Sequence, residues 1–249
     1  RRITMNKIAI IIPSRLNAQR LPNKPLKLIN KKEMIMHVYD AAVNSKTGTV
    51  YIATPDQKII DLVKSKGGNV IKTSDKHKTG TDRIHEVFKN NLNKNPDIII
   101  NLQGDMPNID PQTISDLISY MEKGKCDIGT LASELISRKE IENQNVVKVT
   151  VDGKLENKKF LNAIDFFRTN KDSSDNPYHH VGIYAFTNKA LMRYVSLKRS
   201  KLELERKLEQ LRALENNMSI HVGLIETSAL SVDTEEDLIE VKKIMENKK

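Results

Sequence analysis

The chain has 249 residues, of which 38% are hydrophobic, 29% charged and only 4% aromatic, with a net charge of +9 from 41 Lys and Arg against 32 Asp and Glu. That is enough to bury a sizeable core of Ile, Leu and Val, in one domain with an elaboration rather than two equal domains. No apolar run reaches the roughly 20 residues of a membrane-spanning helix, which argues against that class. No secretory h-region is legible, and Arg1 to Thr4, ahead of the first methionine, Met5, read as a cloning extension. The single cysteine, Cys126, makes neither an internal disulfide nor a metal cluster and fits a reducing cytoplasm. No His or Asn framework around it supports a thiol nucleophile. The lysines are scattered (Lys31, Lys32, Lys58, Lys64, Lys66) without interleaved aromatics, the pattern of solvated surface rather than of a nucleic-acid interface.

Ile8 to Ile12 is a continuous apolar run stopped by Pro13, which predicts a strand buried on both faces in a parallel sheet. Ser14 to Pro25 follows as a loop carrying Arg15, Arg20 and Lys24, with Pro22 and Pro25 limiting its backbone. Three permanent cations thus stand past the carboxyl end of a central strand, where open α/β sheets bind ligands. Guanidinium forks and an ammonium suit a polyphosphate, although a merely solvated basic loop has the same composition. A short strand over Lys27 to Asn30, a helix over Glu33 to Asn44 with Met34, His37, Val38 and Ala41 on one face, and a strand over Thr49 to Ala53 come next. A helix over Asp56 to Lys66 and, after Gly67-Gly68, a strand over Asn69 to Ile71 complete an alternation that argues for βαβ units.

Thr79-Gly80-Thr81 reads as a turn and helix N-cap, with Asp82 in the first turn and Ile84, Val87 and Phe88 on the apolar face. Asp97 to Leu102 is a further buried strand ending in Gln103-Gly104-Asp105, where the carboxylate is a hard-cation ligand or a plain turn residue. After a helix over Thr113 to Met121 the pattern loosens into short strands, Ile128 to Leu131, Val146 to Val151 and Lys159 to Ala163. Residues 125–187 are read as an antiparallel elaboration supplying a second substrate's pocket and a dimer surface, with Asn170 to Asn176 as a mobile polar loop. Tyr178 to Phe186 is a strand on which His179 and His180 point to opposite faces, so they do not chelate one metal. Leu202 to Asn216 has the spacing of one long amphipathic helix with Leu204, Leu208, Leu211 and Leu214 as core. Ile220 to Leu224 is a strand, and Asp233 or Thr234 caps a final helix whose first turn, Glu235 to Asp237, complements the helix dipole. Walker A and G-x-G-x-x-G patterns are absent, which removes P-loop ATPases and dinucleotide-binding dehydrogenases.

R-x(4)-R-L-P-x-K-P after a hydrophobic strand resembles the nucleotide-binding signature of sugar nucleotidyltransferases, in particular the 3-deoxy-manno-octulosonate (Kdo) cytidylyltransferases, and the similarity recurs in order along nearly the whole chain. The resemblance implies a Rossmann-like α/β fold, a mostly parallel sheet with helices on both faces plus a small antiparallel elaboration. It implies that Arg15, Arg20 and Lys24 hold phosphates, that Thr79, Gly80, Thr81, Arg83 and Gln103 contact the nucleotide, and that Asp105 and Asp233 ligate Mg²⁺. His180 and Tyr184 of H-x-G-I-Y, with Glu209 and Gln210 of L-E-Q-L-R, would face the sugar acid. Four departures are read off the same motifs: Ala18 for the family's Ser, Met106 for Glu in Q-G-D-E-P, Asn162 for Arg in F-S-R-A, and Arg206 for Glu ahead of L-E-Q-L-R. Asn162 removes a cation where an acidic sugar docks, and Arg168 is the expected replacement.

The implied reaction is attack of a sugar hydroxyl on the α-phosphorus of CTP, forming CMP-Kdo for lipopolysaccharide synthesis in the cytoplasm, by a Mg²⁺-dependent homodimer with Lys24, Asp105 and Asp233 as catalytic residues. The departures leave open a related sugar acid such as an amino-Kdo, a glycosyltransferase of the same general fold, a nucleotide-binding relative without activity, or a basic nucleic-acid-binding protein.

Overall fold

A computed structural model describes residues 7–17, 20–169, 176–226 and 229–247. Arg1 to Thr4, Ala18 and residues 170–175 of the expected mobile loop lie outside them. The chain divides into two units, Arg1–Ile118 with Ala229–Lys249, and Ser119–Ser228.

In the first unit β1 (Ile8–Pro13) is followed by a 3₁₀ turn, Lys24–Leu26, and the small antiparallel hairpin of β2 (Leu28–Ile29) and β3 (Lys32–Glu33). Helix α1 (Met34–Asn44), β4 (Thr49–Thr54), α2 (Gln57–Ser65), β5 (Val70–Lys72), α3 (Gly80–Asn90), β6 (Ile98–Leu102) and α4 (Pro111–Met121) alternate as expected. The strand order β5-β4-β1-β6 is parallel throughout. Ile10, Ile11 and Ile12 of β1 are fully buried, as a strand with a neighbour on each side and helices packed against the sheet requires. All four strands end on one edge, and the functional loops leave from it.

The second unit carries β7 (Ile128–Ser133), the short α5 (Arg138–Glu142), β8 (Lys148–Val151), β9 (Phe160–Phe167) and β10 (Tyr178–Thr187). They are followed by α6 (Asn188–Ser196), α7 (Lys201–Arg206), α8 (Leu211–Glu215) and β11 (Ile220–Ile225). Strand β7 pairs antiparallel with β10 and parallel with β11, while β9 pairs antiparallel with both β11 and β8. The chain then returns to the first unit, where α9 (Glu235–Glu246) buries Leu238 and Val241 against Met34 and Leu21.

One expected element is wrong. Leu202 to Asn216 is not a single helix but α7 and α8, parted at Lys207 in the left-handed conformation (φ 55°). Glu203, fully buried, accepts from Arg199 Nε at 3.0 Å, Arg212 Nε at 2.9 Å and Arg212 Nη2 at 2.7 Å. Nine residues of continuous helix would hold 203 and 212 about 13 Å apart along the axis, so this ion pair needs the break. Leu204, expected in the core, is 52% exposed as a result, whereas Leu208 and Leu211 are buried.

Candidate active site

The carboxyl edge of the first unit's sheet opens into a cleft of about 750 Å³ lined by Ser14, Arg15, Arg20, Lys24, Gln103 and Asp105, among others, with Asp233. Its floor is set by backbone pairing. Val232 N donates to Asp105 O at 2.9 Å, which ties the segment ahead of α9 to the turn after β6. Thr234, not Asp233, is the N-cap of α9: Asp237 N donates to Thr234 Oγ1, and Asp237 Oδ2 accepts from the amides of Asp233 and Thr234. Capping therefore leaves the Asp233 carboxylate to the cleft.

There it meets Asp105. Lys24 Nζ donates to Asp105 Oδ2 at 3.1 Å and to Asp233 Oδ1 at 3.3 Å, and Arg20 Nη2 lies 3.3 Å from the same Asp233 oxygen. Lys24 thus sits between the two acids rather than opposite them. Burial pushes the Lys24 ammonium pKa down, but Asp105 and Asp233 outweigh it and the pKa ends above its usual value. Asn23, left-handed at φ 55°, and Pro25 shape the 3₁₀ turn that aims Lys24 inward. The loop before it is pinned where Leu16 N donates to Asp56 Oδ2 at 2.8 Å. Two carboxylates already sharing one cation are a fitting oxygen donor pair for a hard divalent ion, with substrate and water oxygens completing its shell. Among the described residues no group of three or more His, Cys, Asp and Glu could do so alone.

Thr79 caps α3 through Asp82 N, and Gly80 lies against the end of β1, where a Cβ would come within 3.2 Å of the Pro13 ring. Thr81 is buried and its hydroxyl accepts from Asn101 Nδ2 at 3.3 Å. Arg83 is also buried, with Nη1 donating to Thr73 Oγ1 and to Ser74 O, so this edge of its guanidinium holds the 73–74 turn. Met106 is buried.

Residues 9–220 match the family model described as Cytidylyltransferase. The chain belongs to the cytidylyltransferase family. A 3-deoxy-manno-octulosonate cytidylyltransferase of Brucella ovis is 43% identical over 234 residues, 93% of each chain. One of Bartonella bacilliformis is 39% identical over 241 residues, 96% of this chain and 98% of the relative. A solved structure of CMP:2-keto-3-deoxy-manno-octonic acid synthetase complexed with CTP superposes with a TM-score of 0.87 at 33% identity, covering 98% of this chain and 100% of that one.

In this cytidylyltransferase the residues expected to face a sugar acid lie in the second unit. A bulge in β10 between Val181 and Tyr184 is filled by Thr130, whose hydroxyl donates to Ile183 O at 2.6 Å and lies 2.9 Å from His180 Nε2. The His180 and Tyr184 rings come within 5.4 Å of each other. Burial, with a small contribution from His179, drives the His180 pKa down to about 3, so the ring is neutral and serves as a hydrogen-bonding group rather than a cation. Burial, and after it Glu209, raise the Tyr184 phenol pKa while Arg168 opposes them. Gln210 is buried at the start of α8. Arg206 is neutralised by Asp165 at 2.7 and 2.9 Å, a pairing that nothing local in the sequence signals because 41 positions separate the two. Cys126 is buried with its thiol pushed up to about 11 by that burial, the setting of a structural thiol rather than of an activated nucleophile. No helix among the described residues is long and apolar enough to cross a membrane.

Proposed function

We propose that this chain transfers CMP from CTP to the anomeric hydroxyl of Kdo, releasing pyrophosphate, as a cytoplasmic step towards lipopolysaccharide. The observation that carries the reading is the convergence of Asp105 and Asp233 on Lys24, beside Arg15 and Arg20, in a cleft large enough for a nucleotide. CTP brings roughly four negative charges and the sugar is itself an acid, so repulsion opposes their approach. Arg15, Arg20 and Lys24 offset it at the triphosphate, the guanidiniums by paired hydrogen bonds and the ammonium by a point charge. Asp105 and Asp233 would hold Mg²⁺, which when bound lowers the pKa of the sugar hydroxyl and offsets charge at the α-phosphate. Thr79, Gly80 and Thr81 face the nucleotide at the α3 N-terminus, with Gln103 beside the phosphates and Arg83 keeping the adjoining turn in place. His180, Tyr184, Glu209 and Gln210 orient the sugar hydroxyls, and Arg168 takes the sugar carboxylate. A homodimer is the proposed assembly, to be checked by light scattering.

Pyrophosphate release from CTP is the test, with Kdo, with an amino-Kdo and with no sugar. Release only with Kdo supports the reading, and release independent of any sugar acid rejects it. Faster turnover of the amino-sugar would move the specificity to that relative.

A further inference from the structure

Three cations of the second unit differ in how their charge is met. Arg206 faces a carboxylate, Asp165. Arg168 does not: among the described residues its Nη1 donates to the main-chain carbonyls of Gln144 at 3.3 Å and Asn145 at 3.1 Å, which leaves Nε and Nη2 open. Lys148 is fully buried, and its ammonium donates to Asn143 O at 2.6 Å and to Arg168 O at 2.7 Å, again with no carboxylate among the described residues. A fully buried charge is ordinarily paired, so Lys148, held by carbonyls alone beside the half-buried Arg168, marks a locus short of an anion.

The strand register says how the two are arranged. Lys148 pairs with Phe167 and with His179, on one face of the sheet. Phe166 belongs to the other face, where its ring meets His180 edge-on at 5.0 Å. Arg168 directly follows the end of β9, where its main-chain carbonyl accepts from Lys148 and its guanidinium reaches the 144 and 145 carbonyls. Lys148 therefore grips the Arg168 main chain, while the two side chains together hold the successive carbonyls 143, 144 and 145.

We propose that Lys148 is a positioning residue for the sugar acid: it fixes the Arg168 main chain and the 143–145 turn so that the open edge of the guanidinium receives the substrate carboxylate as a bidentate partner. This rests on the sugar-acid reading above. The test is the kinetics of K148M, R168A and the double variant with Kdo as substrate and its neutral carboxamide as competitor, with CTP affinity by calorimetry as the check on folding. K148M is expected to raise KM for Kdo roughly tenfold with kcat changed less than about twofold, the scale of one misaligned charge-assisted contact. Ki of the carboxamide should stay within about twofold, and the double variant should be no worse than R168A, since Lys148 acts through Arg168. Equal losses for Kdo and the carboxamide, or a further loss on top of R168A, would overturn the proposal. Should K148M lose CTP binding, K148Q, which keeps N–H donors for the carbonyls, is measured with the same two compounds: a KM for Kdo closer to wild type than that of R168A, with Ki unmoved, supports the proposal, and equal losses overturn it. Failure of the underlying reading shows separately, as a wild-type enzyme that releases no pyrophosphate with Kdo.

Discussion

Lys24 is the side chain on which the cleft turns. It is only 18% exposed and lies between two carboxylates that are 17% and 26% exposed, so removing its charge leaves two acids facing each other with little water to screen them. K24M is expected to lose about 1–3 kcal/mol of stability, and Mg²⁺ should restore part of it by taking the place of the ammonium. A melting temperature of K24M that ignores Mg²⁺ would show that the pair does not bind the ion. D105N and D233N are expected to do the reverse in chelator: CTP should bind roughly threefold to tenfold more tightly, because a repulsive charge is gone, while turnover with Mg²⁺ falls by about a thousandfold or more. Tighter metal-free binding with full turnover would remove these aspartates from the reaction. Each acid was legible as a candidate, because a carboxylate at a strand end or helix start is a recognisable feature. Their meeting was legible only through the family resemblance, since the contact between Lys24 and Asp233 spans 209 positions and no local pattern encodes it.

At the level of elements, strands and helices of the first unit were readable because each satisfies a local rule: an apolar run, a cap, a breaker. The failure at residues 202–216 has the opposite character. Leucine spacing continues through Lys207 as if the helix did, but the ion pair between Glu203 and Arg212, nine positions apart, needs the break in the backbone. Because Lys207 is left-handed, K207G should stabilise the protein by about 0.5–1 kcal/mol, whereas glycine inside one continuous helix would destabilise it by a similar amount. The sign of the change in denaturation midpoint separates the two. A second element-scale device clasps the turn before α3. Glu86 accepts from Ser74 N at 3.0 Å and meets His77, while Arg83 one turn earlier holds Thr73 and Ser74. Burial alone would raise the Glu86 pKa, but the His77 and Ser74 hydrogen bonds prevail and lower it. A depressed carboxyl pKa contributes stability that is present above its unfolded value, about 4.3, and is lost as pH falls through the folded value. E86Q should therefore be less stable than wild type by about 1 kcal/mol at pH 7, with the gap closing below about pH 4. A gap that persists in acid would mean that packing, not charge, holds the clasp.

For the molecule as a whole, the net charge of +9 is ambiguous by itself, since scattered lysines attract any polyanion at low salt. What separates a nucleotide enzyme from a general basic protein is where the charge is clustered and how far water is kept from it. The cleft cations lie in a concave site with Lys24 mostly buried, so their attraction for CTP is screened less than that of surface lysines for RNA. Ligand that binds only the folded state adds about 2.7 kcal/mol at a hundredfold excess over Kd. For a chain of this length that is a rise of roughly 5–10 °C in melting temperature. CTP with Mg²⁺ should produce most of this rise at both 50 and 300 mM salt, whereas any rise produced by RNA should vanish at the higher concentration through counterion competition. RNA protection that survives 300 mM salt, together with a CTP effect that does not, would assign the positive charge to nucleic acid and leave the cleft without its proposed occupant.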